Sequence, residues 1–207
     1  MNKEIIDKTI AALRHNHFEA FFAHNTAEAS AIFFRDIFPG LQVETVSWGD
    51  SETMKATGVL NELQKNPELS VIDSFAPGMS RKQKIYWRRQ ALLTDLFLTG
   101  SNALTQKGQL VNLDMIGNRV GGITFGPKQV VLFIGINKIT ANLEEAMHRV
   151  RTIAAPRNAI RHEGCHKTGV CMDCNSPDRI CNVWTITEKS YPAGRIKVIL
   201  IGEELGL

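Results

Sequence analysis

The sequence has no long apolar run and little excess charge, and both absences exclude classes of protein. No window approaches the roughly 18 apolar residues that a membrane-spanning helix requires, so we expect no membrane insertion. The net charge of +3, from 24 basic and 21 acidic residues, is too small to indicate a nucleic-acid partner. The N-terminal stretch MNKEIIDKTIAALRHN is interrupted by acidic residues, unlike a signal peptide. We therefore expect a cytoplasmic protein.

Signatures of nucleotide binding and of common catalytic sites are also missing. Neither a P-loop nor a Gly-x-Gly-x-x-Gly run after the first strand is present, so ATP or NAD is not expected as a motif-encoded cofactor. The histidines are scattered and form no recognisable catalytic spacing with Asp or Glu. Repeats, low-complexity tracts and linkers are absent as well. One domain over residues 1–207, with a metal-binding insertion, is the simplest organisation.

Helical and strand patterns alternate through the first half of the chain. Apolar residues spaced for one helix face predict an amphipathic helix over 2–15. Strands are predicted at 18–24, 42–48 and 70–75, and helices at 26–38, from 51 to about 67 with a weak point at Gly58, and at 81–93. This alternation predicts an α/β fold with a mostly parallel sheet flanked by helices.

The second half of the chain contains the most apolar strands. Segments 94–99 and 128–135 lack alternation, which is typical of parallel strands buried on both faces. Segment 108–114 resembles half of a hairpin, and 117–127 is glycine-rich and predicted to be a loop. An amphipathic helix is predicted over 139–155, ended by Pro156, and the last strands are predicted at 181–189 and 195–205.

All four cysteines lie in one polar segment, GCHKTGVCMDCNSPDRIC, with the spacing Cys165-x5-Cys171-x2-Cys174-x6-Cys181. Thiolates are soft ligands, and four on a short loop can surround one ion or cluster. In a cytoplasmic protein such clustering favours metal binding, so all four are predicted metal ligands. Two alternatives remain open: disulfides or a switching thiol pair, and cysteines without a common role.

The cysteine spacing does not select the metal. It lacks the tight run of bacterial ferredoxins and differs from the two-pair pattern of zinc ribbons. His162 or His166 could replace one cysteine in a zinc site. We therefore expect an iron–sulfur cluster or a zinc ion that orders a loop over about 160–182, because this loop has few apolar side chains of its own.

Polar residues follow three predicted strands, at the edge where open parallel sheets bind ligands. Backbone N–H groups, amides and a forked guanidinium in this position suit a carboxylate or phosphate. A small anionic ligand is therefore predicted there, with Arg119 as its charged anchor. The alternative is that these are only turn glycines and solvated polar residues. The candidate ligand-binding residues are Thr99, Gly100, Ser101, Asn102, Asn118, Arg119, Asn137 and Lys138.

The segments TGSNAL, NRV, FGPK and NKI occur in this order and are followed by RTIAAPRNAIRH, the cysteine loop and VILIGEELG. Together they resemble the LUD (lactate-utilisation) domain proteins over roughly residues 5–205, and the loop resembles that of the cysteine-bearing branch. The resemblance implies a fold of the NagB/RpiA/CoA-transferase-like type. It also implies a role in the bacterial oxidation of lactate to pyruvate beside iron–sulfur partners, so redox protein partners and self-association are expected.

One departure from the family affects the expected chemistry. Many LUD proteins and CoA transferases carry an acidic residue near the position of Gln106-Lys107, and a glutamyl-thioester mechanism needs that carboxylate. The next acidic residue here is Asp114, so transferase chemistry is not expected. Two hypotheses remain. The chain acts on, or helps to oxidise, a small carboxylate such as lactate, or it is a non-catalytic ligand-binding or scaffold protein with a structural zinc site.

Overall fold

The structure is a computed structural model that describes residues 2–161 and 169–207. The strands are β1 (Glu19–Ala23), β2 (Thr45–Trp48), β3 (Ser70–Val71), β4 (Leu96–Thr99), β5 (Ala103–Thr105), β6 (Leu110–Asp114), β7 (Gln129–Gly135), β8 (Ile139–Thr140), β9 (Val183–Thr187) and β10 (Ile196–Ile201). The α-helices are α1 (Lys3–His15), α2 (Thr26–Ile32), α3 (Glu52–Ala56), α4 (Val59–Lys65), α5 (Arg81–Gln90), α6 (Asn118–Thr124), α7 (Leu143–Arg149) and α8 (Ala155–Arg161).

These strands form two sheets. The larger has six parallel strands in the order β1-β10-β7-β4-β2-β3, and the smaller has the order β8-β5-β6-β9. In the smaller sheet β6 is antiparallel to both neighbours, and the hairpin predicted for 108–114 is formed with β5. The predicted α/β fold, with a mostly parallel sheet flanked by helices, is confirmed.

Both faces of the large sheet are buried. Along β7, Val131 and Phe133 pack into the core beneath α2, α3 and α4, whereas Val130 and Leu132 pack into the core beneath α1 and α6. Successive side chains of a strand point to opposite faces, so a doubly covered strand must be apolar throughout. This is why 128–135 has no alternation. A third, smaller core lies between the second sheet and α7.

Local signals set several of the helix boundaries. Asn25 accepts a hydrogen bond from the Glu28 backbone and begins α2, and Ser80 forms a capping box with Gln83 at the start of α5. Gly58 has a left-handed φ of 73° and separates α3 from α4, so the predicted weak point is confirmed as a break. In the part of the chain that the structure describes, no helix is long and apolar enough to span a membrane.

The prediction that Pro156 ends the helix after β8 was wrong. A π-helical segment, Val150–Ala154, follows α7, and the chain then continues as α8 to Arg161. Pro156 is the second residue of α8. It directly follows the π-helical turn, where the regular α-helical hydrogen-bonding pattern is already interrupted, so the proline is tolerated there.

The predicted glycine-rich loop at 117–127 is mostly helix α6. The Asp114 carboxylate accepts the backbone N–H groups of Arg119 and Val120 and so caps the first turn. Gly122 lets the helix approach the sheet, because a Cβ there would lie 2.8 Å from the Phe97 ring. The predicted strand 70–75 is also shorter than expected and is confined to Ser70–Val71.

Candidate functional site

A cleft with two adjoining lobes lies where β2, β4 and β6 end. The smaller lobe has a cavity volume of about 80 Å³ and the larger about 250 Å³. Their volumes suit a small molecule rather than a nucleotide or a drug-sized ligand. Five residues line both lobes, which makes the cleft continuous: Asp50, Asp114, Met115, Arg119 and Asn158.

Most of the predicted ligand-binding residues meet in this cleft. Those that line the smaller lobe are Gly100, Ser101, Asn102, Arg119 and Lys138, and those that line the larger lobe are Asn118 and Arg119. Thr99 and Asn137 line neither lobe. The Asn137 side chain instead accepts a hydrogen bond from the Leu205 backbone at 3.1 Å, and the Thr99 hydroxyl is buried without a partner in the described residues. Their role in ligand binding stays a prediction.

Arg119 is buried, and the surrounding protein already binds its guanidinium. Nε donates to Asp114 Oδ1 at 3.0 Å, Nη1 to Gly100 O and Asn112 Oδ1, and Nη2 to Asn102 Oδ1 and Leu113 O. A guanidinium has five N–H groups, and each of these has an acceptor. Arg119 therefore holds the strand ends together and leaves no unused donor for a ligand.

Asn102 has its amide oriented by this network. Its Oδ1 accepts from the Leu113 backbone at 2.9 Å and from Arg119 Nη2 at 2.7 Å, so its Nδ2 group must point the other way. Nδ2 donates to no acceptor in residues 2–161 and 169–207, and Asn102 lines the smaller lobe. The side chain is thus an oriented donor at the wall of the cleft. The Ser101 hydroxyl, by contrast, donates to Ala103 O at 2.8 Å.

Lys138 is a buried cation without a carboxylate partner. It is only 5% exposed, and its Nζ makes one hydrogen bond, to Thr53 Oγ1 at 2.9 Å. No ion pair joins it to any described residue. Burial, and then the nearby guanidinium groups of Arg149 and Arg119, lower the pKa of Lys138 to about 7. The group therefore changes charge near neutral pH at the wall of the smaller lobe.

Arg88 of α5 is a second cation that has no carboxylate partner among the described residues, and no sequence pattern distinguishes it from its basic neighbours. Its half-buried side chain lines the larger lobe, with the guanidinium 5.4 Å from the ring centre of Phe75. Its Nε is buried without an acceptor in the described part of the chain, where the guanidinium forms no ion pair either. Desolvation lowers the pKa of Arg88, although Asp50 and Asp114 oppose the shift.

Sequence reasoning also missed the acidic residues of the cleft. Asp50 and Glu52 follow β2, so the strand-end argument could have found them. Asp50 is bound by Lys55 Nζ at 2.7 Å, and Asp114 forms a 2.8 Å ion pair with Arg119. Two of the carboxylates are therefore neutralised by other residues. Asn158 on α8 had no sequence signal, because a helix end at residue 155 was expected.

The predicted metal ligands are only partly described. Cys165 lies outside the described residues. Cys171 and Cys181 line one small cavity next to the second sheet, and Arg179 donates to the Cys174 carbonyl at 2.8 Å. The neighbouring Cys181, and then Cys174, raise the pKa of Arg179. Within 2–161 and 169–207 no group of three or more metal-ligating side chains comes together, and no disulfide joins the three described cysteines.

The fold and the cleft define an α/β protein with a polar site at the carboxyl ends of its parallel strands. The family model of the LUD domain matches residues 6–201, so the chain belongs to the LUD domain family. No protein of curated function matches the sequence.

A solved structure shares this fold. The crystal structure of a DUF162 family protein from Deinococcus radiodurans superposes with a TM-score of 0.52, covering 96% of each chain at 13% sequence identity. At this identity the similarity concerns the fold alone.

Proposed function

We propose that this LUD-family protein binds a small carboxylate, such as lactate or its oxidation product, in the two-lobed cleft. One observation carries the proposal: Lys138 and Arg88 line adjoining lobes, and neither has a carboxylate partner among the described side chains. A buried cation is costly unless an anion accompanies it. A bound carboxylate would supply that anion.

The other polar groups of the cleft support the same ligand. Asn102 lines the smaller lobe with an oriented Nδ2 donor, and Arg119 fixes that orientation through its hydrogen bond to Asn102 Oδ1. Carboxylate oxygens accept hydrogen bonds from both cationic and amide donors. Because the cavity is small, a compact carboxylate is favoured over a larger anion.

Calorimetric titration with lactate, pyruvate and acetate tests the proposal. Replacing Arg88 by Gln removes the unpaired guanidinium and should weaken carboxylate binding by ~1.5–3 kcal/mol, the range for a hydrogen bond to a charged group. Arg89→Gln is the matched control, because the adjacent Arg89 is exposed and lies outside both lobes. Equal affinities for the two variants, or no binding of any carboxylate to the wild-type protein, would contradict the proposal.

We further propose that Cys165, Cys171, Cys174 and Cys181 hold one iron–sulfur cluster or zinc ion. The spacing supports this, as do the cavity shared by Cys171 and Cys181 and the positive charge of Arg179 next to Cys181 and Cys174. Such a centre would supply either electron transfer, if it is a cluster, or local order, if it is zinc.

The absorbance spectrum and metal content of anaerobically purified protein distinguish these possibilities. A brown protein with iron and sulfide favours a redox role in carboxylate oxidation, with redox protein partners. A colourless protein with one zinc per chain favours the alternative of a ligand-binding or scaffold protein. If the wild-type protein holds neither metal and all four thiols react as ordinary cysteines, the shared centre is refuted.

A further inference from the structure

The environment of Lys138 suits a reactive amine better than a simple charged anchor. Lys138 lines the smaller lobe, and its Nζ donates to Thr53 Oγ1, whose own hydroxyl donates to Leu205 O at 3.1 Å. Thr53 therefore accepts from the amine, and the other positions on Nζ have no partner in the described part of the chain. One of these positions is a lone pair whenever the amine is neutral.

The charges around Lys138 favour this neutral form. Arg149 of α7 and Arg119 of α6 face it as cations, and together with burial they bring its pKa to about 7. The carboxylates of the same lobe do not stabilise the protonated form of the Lys138 amine. Asp114 is paired with Arg119, and no ion pair joins Lys138 to Asp50 or Glu52. A desolvated lysine of this kind is a nucleophile for carbonyl carbon.

We propose that Lys138 forms an imine with the carbonyl carbon of an oxo acid whose carboxylate lies against Arg88 in the adjoining lobe. The juxtaposition of an unpaired amine and an unpaired guanidinium in one continuous cleft carries this inference. It rests on the proposed function, which it deepens by naming the substrate class as oxo acids rather than carboxylates in general.

The step balances without any further reactant. The Nζ lone pair attacks the carbonyl carbon, a C–N bond forms, and the C=O π electrons move to oxygen, which takes up one proton from nitrogen. Loss of the second nitrogen proton together with the hydroxyl releases one water and leaves the C=N bond. No oxidant or reductant is consumed. The imine withdraws electrons from the adjacent carbon, as a lysine Schiff base does in other carbonyl chemistry.

Reductive trapping tests the imine. The full-length protein is incubated with pyruvate or 2-oxoglutarate and sodium cyanoborohydride at neutral pH, and the modified lysine is located by intact mass and peptide mapping. We expect a single adduct at Lys138. Lys138→Arg replaces the primary amine by a guanidinium that cannot form the imine, so it should lose the adduct. Lys65→Met removes an exposed lysine outside the cleft and should leave the adduct unchanged.

A competition experiment keeps the test valid if the Lys138 variant does not fold. Lactate has a hydroxyl where pyruvate has a ketone and so cannot form an imine, and in the wild-type protein it should suppress trapping by occupying the same cleft. If pyruvate binds but the adduct is absent or spread over exposed lysines, the imine is refuted while carboxylate binding stands. An adduct that forms equally in saturating lactate, under conditions where lactate binds, would place the modified lysine outside the carboxylate site and would also refute the proposal. If lactate, pyruvate and 2-oxoglutarate all fail to bind, the proposed function fails and the imine with it.

Discussion

Lys138 and Arg119 are both buried cations at the carboxyl ends of strands, but their surroundings give them different roles. Arg119 has five acceptors and a buried carboxylate partner, so its charge is compensated within the protein. Among the residues that the structure describes, Lys138 has one hydroxyl partner and no carboxylate partner. A buried guanidinium that is paired with a carboxylate can contribute to the free energy of unfolding. A buried amine without such a partner lowers that free energy, so a role in ligand binding or chemistry explains it better than a role in stability.

Replacing Lys138 by Met should therefore stabilise the protein in a pH-dependent way. The folded-state pKa of about 7 lies below the ordinary value of 10.5, so the unfolded chain binds the additional proton between these values. The resulting penalty is full below pH 7 and disappears as the pH rises toward 10.5. Removing the amine should raise the free energy of unfolding by on the order of 2–4 kcal/mol below pH 7, and by much less in alkali.

Urea denaturation at a series of pH values measures this difference. Lys65→Met, which removes an exposed lysine, is the control and should show no pH-dependent gain. A gain from Lys138→Met that is constant with pH would mean that packing, rather than the buried charge, accounts for it.

Replacing Arg119 by Lys should destabilise the protein although the charge is kept. A lysine can pair with Asp114 but cannot reach all the acceptors of the guanidinium, so Gly100 O loses its side-chain donor and Asn112 Oδ1 keeps only its bonds from Asn102 N and Ser101 Oγ. We expect a loss of ~2–4 kcal/mol in the free energy of unfolding. Arg151→Lys is the control, since its side chain is half-exposed and its ion pair with Asp173 is long at 4.0 Å. Equal effects would contradict a structural role for Arg119.

At the scale of secondary-structure elements, the continuation of α7 into α8 determines which residues form one side of the cleft. Because the π-helical segment Val150–Ala154 carries the chain into α8, Asn158 reaches both lobes of the cleft. Arg149, at the end of α7, donates to Asn102 O at 2.6 Å and to Asn137 O at 3.1 Å, which attaches this helix to two strand ends. The helix therefore forms one wall of the cleft.

Gly58 should be required where it separates α3 from α4. Its φ of 73° is left-handed, and an alanine there would be strained although nothing lies within 4 Å of its Cβ. Gly58→Ala should lower the free energy of unfolding by ~1 kcal/mol. Gly40→Ala is the control, because that site is equally open but its φ is not left-handed, so no loss is expected. Thermal or urea denaturation of the two variants distinguishes backbone strain at a left-handed φ from steric crowding by the added methyl group.

At the scale of the whole molecule, the cysteine segment is connected to the cleft through the second sheet. Cys181 packs against the core beneath this sheet, two residues before β9. β9 pairs with β6 from Leu110 to Asp114, and Asp114 lines both lobes. Order in the cysteine segment would thus restrain the strand that carries Asp114.

Removal of the proposed metal should consequently lower the melting temperature. Metal binding to a loop with little apolar content contributes folding free energy directly. For a chain of this size each 1 kcal/mol corresponds to about 2–4 °C, so we expect chelation to lower Tm by several degrees. Cys171→Ser should lower Tm similarly and then show no further change with chelator, whereas Ser176→Ala, in the same segment, should respond to chelator as the wild type does. An unchanged Tm in chelator would contradict the metal's structural contribution.

The sequence by itself determined the order of helices and strands, the parallel sheet and most members of the cleft. These properties follow from local patterns: the 3.6-residue period of α1, the uninterrupted apolar run of β7 and the capping residues Asn25 and Ser80. Strand ends of a parallel sheet meet at one edge, so Asn102, Arg119 and Lys138 could be placed near one another from the sequence alone.

Only the tertiary structure decided which of the polar residues are available to a ligand. Arg119 is bound by acceptors from β6 and the β4–β5 turn, and Asn137 by the backbone of Leu205. Arg88 and Asn158 come from helices distant in sequence and meet the strand ends only in the folded chain. A side chain's availability depends on the partners that long-range packing brings to it, and no local period in the sequence records those partners.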